Sequence, residues 1–333
     1  MENFLICDGK KYIMEDGDFY QILDRQLITP TPKDLKKLKS LINKFDKDIF
    51  SSPRLNEIAH KNKSLYKIDV LPEILERMEK FIGEENIDSF YRNLETVTFE
   101  FENPISCKEH SDHHENGYHD SITNTIHINA ETFDYLEDFA KTNNLDYMVT
   151  LKIAIAHELF HLASCNNLSD KTGFIYQGLC DVDTTKKYDN HTSIINFGKA
   201  ESFNEGLTQL FACGIYADYL GDENFYKFNN TYIDQARAIS QIAYMVGHKN
   251  IKEAYFKNLG MGCIKDELSK INNLRKLYDD LTIHMARLIN YNLSDKVRDA
   301  STIKIQNVLL QYAHNYIDMI DKDKINDFIS TIK

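Results

Sequence analysis

Leu151-Lys152-Ile153-Ala154-Ile155-Ala156-His157-Glu158-Leu159-Phe160-His161-Leu162 is the stretch from which the rest of the chain is read. It is apolar almost all round, the pattern of a buried helix, which the flanking residues extend from about Asp146 to Cys165. Inside it stands an H-E-x-x-H motif. Residues four apart share a helix face, so His157 and His161 can aim one nitrogen each at a single metal ion. Glu158 is turned about 100° from His157. That lets its carboxylate reach a water on an open metal position, take its proton and pass it to a leaving amine. Two histidines and a glutamate are costly to bury without a partner; a metal ion supplies one.

Zinc hydrolases keep three protein ligands and one water. The metzincin version would need Gly at position 164 and His at position 167, where this chain has Ser164 and Asn167. Downstream lies Glu201-Ser202-Phe203-Asn204-Glu205-Gly206-Leu207-Thr208. With this segment the chain, over roughly residues 95 to 220, resembles the gluzincin-like branch of the zincin metallopeptidases, in which a Glu on a second helix completes the site. The resemblance implies one Zn2+ ion held by His157, His161 and Glu205, with Glu158 as general base.

Glu201 is the rival third ligand, one turn earlier on the same face, and Asp181, Asp183, Asp189 and His191 are further alternatives. Gly206, without a side chain, would let the metal helix come close beside Glu205. Glu201 lies nearer the expected helix start, where a carboxylate already has a use at the positive helix end. One position departs from the pattern: thermolysin-like enzymes carry an Asp four residues after the ligand Glu to hold a ligand His, and here that residue is Gln209. The acceptor for the second N–H of the ligand histidines is therefore not given by the motif.

Working outward, Thr123 to Asn129 reads as a strand. The resemblance implies that Thr125 to Asn129 is an edge strand that binds extended peptide by β-addition; an ordinary sheet strand is the other reading. Glu95 to Phe101 alternates β-formers with acids, as a half-buried strand does. A helix is expected from about Glu131 to Thr142. The first thirty residues read as a small hairpin around Asp16-Gly17. Lys33 to Lys47 reads as an amphipathic helix with a solvated lysine face, its apolar positions being Leu35, Leu38, Leu41, Ile42 and Phe45. Another helix is expected over Val70 to Ile82. All five prolines lie at or before Pro104, so long helices can run uninterrupted beyond it. Asn166 to Lys199 has weak periodicity and a length typical of functional loops. From Glu201 the chain reads as nearly all helix, the last one repeating Ile305, Leu309, Tyr312, Tyr316 and Ile320.

Other polar clusters are weaker. His110, Asp112, His113, His114, His119 and Asp120 match no metal template and read as a polar loop. Asp181-x-Asp183 and Asp321-x-Asp323 lack the Gly and bidentate Glu of a calcium loop. An oxyanion donor is needed, and His248, His284 and Tyr176 are candidates.

The formal net charge of -12 argues against nucleic acid, whose phosphates require clustered Lys and Arg. No run is long enough to span a membrane. The six cysteines are scattered and form no C-x-x-C pair, which reads as free thiols in a reducing compartment. No secretory leader is visible, so a cytoplasmic location is expected, with export by a leaderless route left open.

The expected fold is α+β and mainly helical: a zincin-like two-lobed metallopeptidase with a small N-terminal sheet, a metal-binding helix and a helical C-terminal lobe. The expected segments are 1–94 (hairpin and helices), 95–220 (catalytic core) and 221–333 (helical lobe). The expected function is hydrolysis of peptide bonds in a peptide or protein substrate, by Glu-assisted attack of zinc-bound water. The alternative is a zincin-fold binding or effector protein with little turnover.

Overall fold

The computed structural model describes residues 4–23, 26–45, 47–102, 117–129, 132–166, 174–183, 194–224, 232–269, 274–288 and 293–316. Among them the chain is mainly helical, with a small antiparallel sheet at the N-terminus and a helical C-terminal region. It divides into two units. One comprises residues 1–163 with 215–219, and the other residues 164–214 with 220–333.

The first unit opens with a meander of four antiparallel strands, β1 (Phe4–Cys7), β2 (Lys10–Glu15), β3 (Asp18–Leu23) and β4 (Gln26–Ile28). The expected hairpin at Asp16-Gly17 is its β2–β3 turn. A second Asp-Gly pair, Asp8-Gly9, turns β1 into β2. Both pairs hold positive φ (55° and 68°; 50° and 91°), as tight two-residue hairpin turns require. Helix α1 (Pro32–Ile42) covers one face. Thr31 caps it, accepting from the Asp34 N–H and donating to the Asp34 carboxylate. Leu38 and Leu41 of α1 close a core with Leu5, Cys7 and Tyr12, against which Ile42 and Phe45 also pack. α1 is shorter than its sequence pattern. After Ile42 the chain continues in tighter turns, with the N–H of Lys44 donating to the Leu41 carbonyl and that of Phe45 to Ile42, and this keeps Phe45 on the apolar side.

Helices α2 (Pro53–Lys61), α3 (Leu71–Ile82) and α4 (Asp88–Leu94) follow. α3 buries Leu71, Ile74, Leu75, Met78 and Ile82, a single stripe at helical spacing. A second sheet holds β5 (Thr98–Glu102), β6 (Gly117–Asp120) and β7 (Thr125–Asn129). Its order is β5-β7-β6, with β7 parallel to β5 and antiparallel to β6. β7 is therefore the central strand, which corrects the expectation of an edge. Among the described residues the outer strands of this sheet are β5 and β6.

Helices α5 (Thr132–Thr142) and α6 (Tyr147–Ser164) follow. The Tyr147 hydroxyl donates to the Gly9 carbonyl at 2.9 Å, tying the start of α6 to the first hairpin turn. Residues 215–219 close this unit. The Arg77 guanidinium lies 4.8 Å from the Tyr216 ring and 4.9 Å from the Tyr219 ring, and donates to the Ile215 carbonyl and to Asp218.

The second unit has a three-stranded antiparallel sheet, β8 (Cys165–Asn166), β9 (Phe174–Gln177) and β10 (Cys180–Asp183), with β9 in the middle. Around it are α7 (Ile194–Gly214), the later part of α8 (Ala217–Asn224), α9 (Ile233–Val246), α10 (His248–Phe256), α11 (Gly262–Ser269), α12 (Leu274–Leu288) and α13 (Asp295–Tyr316). α13 buries Ile305 and Leu309 as its periodicity requires. The side chains of Tyr312 and Tyr316, and residue Ile320, lie outside the described set. Among the described residues no helix is long and apolar enough to cross a membrane.

Candidate metal centre

α6 is buried along nearly its whole length, as its apolar sequence dictates. His157, Glu158 and His161 are 6%, 9% and 7% exposed. The Nε2 atoms of His157 and His161 lie 3.1 Å apart, with the rings tilted by 71°. Two imidazole nitrogens on one tetrahedral zinc-like ion stand about 3.3 Å apart, so the pair is spaced for a shared ion.

β6 runs beside this helix. A Cβ at Gly117 would lie 3.7 Å from Glu158 Cγ and 2.5 Å from the His127 carbonyl, so the strand approaches Glu158 where it has no side chain. His119, two residues on and facing the same way, is buried and shares a hydrogen bond of 3.2 Å with Asn124 Oδ1. Burial pushes its pKa down to about 4, and the neighbouring His161 adds to the effect. Asn124 in turn donates to the Asn93 carbonyl and Asn93 to that of Leu162, which ties the β6–β7 turn to α6 one residue beyond His161. On the other face of the sheet Tyr118 stacks on His127 with ring centroids 4.4 Å apart, and His127 Nδ1 lies 3.7 Å from Glu100. Sequence reasoning placed His119 in a polar loop and did not single out Gly117. The alternation Gly117, His119 within a strand ahead of α6 is the signal that could have found both.

α7 carries the candidate third ligands. The Asn204 side chain accepts from the Leu179 N–H at 3.0 Å, pinning the β9–β10 turn. Gly178 in that turn holds φ +59°, and a side chain there would strike Asn204. Thr208 donates to the Asn204 carbonyl, and its hydroxyl meets that of buried Tyr255 at 2.7 Å. Gln209 donates to Cys213 Sγ at 3.3 Å. Burial pushes that thiol up to about 12, so Cys213 stays protonated and inert.

Gly206 does permit a close approach, but to α9: a Cβ would sit 2.8 Å from the backbone of Gln235. This corrects the expectation that Gly206 admits the metal helix. Gly206→Ala is expected to destabilise the protein by about 1–3 kcal/mol, because backbone cannot give way as a flexible side chain can. Denaturant unfolding checks it, and an unchanged midpoint would show that α7 and α9 are free to separate.

His157, His161 and Glu205 each offer one ligand atom, and these atoms lie within 4.8 Å of one another. Among the described residues this is the group of His, Cys, Asp and Glu that could hold a metal ion, and Glu201 is not part of it.

No family model matches the chain, and neither a curated protein nor a solved structure does.

Of the remaining sequence candidates, His284 is half-buried with Nδ1 3.4 Å from Ser301 Oγ, and His248 is exposed at the start of α10. Asp120 accepts from the Ile122 N–H and from Thr123 within its own turn. The side chains of Tyr176, Asp181 and Asp183, and residues His110, Asp112, His113, His114, Asp189, His191, Asp321 and Asp323, lie outside the described set.

Proposed function

We propose that this protein is a zincin-like, zinc-dependent metallopeptidase acting on a peptide or protein substrate. The observation that carries the reading is the donor set, two imidazole nitrogens and one carboxylate oxygen within 4.8 Å of one another, with buried Glu158 next to a ligand. Its chemistry suits zinc, which takes nitrogen and oxygen donors in three-ligand catalytic sites. His157, His161 and Glu205 would hold the ion. When bound, it supplies a Lewis acid that polarises the scissile carbonyl and lowers the pKa of water.

Glu158 takes the proton of the attacking water on its carboxylate and delivers it to the leaving amine. Burial of Glu158 excludes competing solvent from that transfer. β6 offers the extended backbone on which a peptide can add as a further strand, with Gly117 leaving room beside Glu158. A purely structural metal site would give Glu158 no task, which favours turnover over a binding protein.

The test is incubation of the purified chain with a diverse peptide library, before and after treatment with a chelator. The expected result is cleavage that chelation stops and added zinc restores. A chain that holds stoichiometric zinc by elemental analysis yet cleaves nothing would replace the peptidase reading with that of a binding protein.

A further inference from the structure

We propose that the lysine groove along α1 is a docking site for an acidic segment of a partner polypeptide. The groove, of about 840 Å³, runs along α1 and the turns after it. It is lined by Lys36, Lys39, Lys44 and Lys47, with Ser40 and Asn43 between them, and by Pro32 and Leu35. The six polar residues are exposed. Lys36, Lys39 and Ser40 lie on α1, and Asn43, Lys44 and Lys47 in the residues that follow its end at Ile42. Two neighbouring lysines are paired: Lys10 with Asp34 and Lys37 with Asp8. Among the described residues the ammonium groups of the four groove lysines make no hydrogen bond or ion pair. Burial raises the pKa of the Asp69 carboxyl, and Lys44 acts on it only at a distance, offsetting part of that rise.

Four like charges lining one groove repel one another. The chain carries a net charge of -12, yet among the described residues no acid pairs with any of the four. A ligand bearing carboxylates would relieve the repulsion. Alternate residues of an extended chain lie about 6.6 Å apart on one side, so a segment with carboxylates at every second position can present several of them to the groove. Ser40 and Asn43 can donate to the backbone carbonyls between them.

The charge balance selects a short acidic segment over larger polyanions. Within the Debye length of about 8–10 Å a short segment seated in the groove meets the lysines, whereas a membrane or duplex also brings its charge close to more of a chain whose net charge is -12. The lining also holds no arginine for phosphate and no aromatic ring for bases. This inference stands independently of the metal group.

The test uses the full chain and a fluorescein-labelled oligoglutamate peptide, with binding followed by fluorescence anisotropy. Binding is expected to weaken as salt is raised. Replacing Lys36→Gln, Lys39→Gln, Lys44→Gln and Lys47→Gln together is expected to weaken it about tenfold. Replacing the exposed Lys141, Lys249, Lys265 and Lys304 by Gln, the same change in net charge elsewhere, is expected to leave it unchanged. Three results would overturn the proposal: no binding by the unaltered chain, equal losses in the two variants, or tighter binding to phosphatidylserine vesicles or single-stranded DNA than to the peptide.

Discussion

Glu158→Gln is expected to keep the metal and the fold while lowering peptide turnover by about a thousandfold. Gln has the shape of Glu and the site excludes solvent, with Glu158 only 9% exposed, so packing along α6 is preserved. What is lost is the ability to accept a proton. General base catalysis by one positioned group contributes roughly 10²–10⁴-fold, and in the proposed reaction Glu158 acts twice, on the water and on the leaving amine. The measurement is kcat on a peptide found in the library, alongside metal content and thermal unfolding. Hydrolysis within a factor of a few of the unaltered chain would remove Glu158 from the role of base. Loss of metal together with turnover would instead make it part of the binding group.

Glu205→Gln is expected to strip the metal and abolish turnover, while Glu201→Gln leaves both largely in place. The two carboxylates stand one turn apart on α7, and helical geometry alone treats them alike. The ligand atoms of the candidate group include that of Glu205 and not that of Glu201. An amide is a far poorer ligand than a carboxylate because it brings no charge to the ion. Loss of a ligand should therefore exceed the roughly 10–100-fold in affinity that follows from removing a supporting hydrogen bond. Competition against a chromogenic chelator measures the affinities. If Glu201→Gln releases the metal and Glu205→Gln retains it, the wrong carboxylate has been assigned.

Local pattern made much of this legible. α6 could be read because a helix buried all round has a composition no surface helix shares, and the two histidines stand out in it. α3 and α5 followed from periodicity. α2 was missed although Ser52 accepts from the Leu55 N–H and Pro53 opens the helix, a start signal present in the sequence. The Asp8-Gly9 turn was equally visible and equally overlooked. Other features depend on contacts distant in sequence. That β7 lies between β5 and β6 is a matter of strand order, which alternation within a strand does not encode. The neighbour of Gly206 is Gln235, in another helix, and no spacing rule points to it. Asn204 read as part of a ligand motif, and it turns out to hold the β9–β10 turn, a role set by a strand pair some twenty-five residues upstream.

The bracket around Arg77 has a consequence for how the chain is made. Residues 215–219 belong to the first unit although the second unit begins at Ser164. On the ribosome the first unit therefore stays incomplete until residue 219 has emerged. Until then Arg77 lacks the full set of Tyr216, Tyr219 and the carbonyl of Ile215 that it packs against and donates to. A truncation after Gly214 freezes the chain in that state, so the shortest fragment that can finish the first unit must carry all of α7 with it.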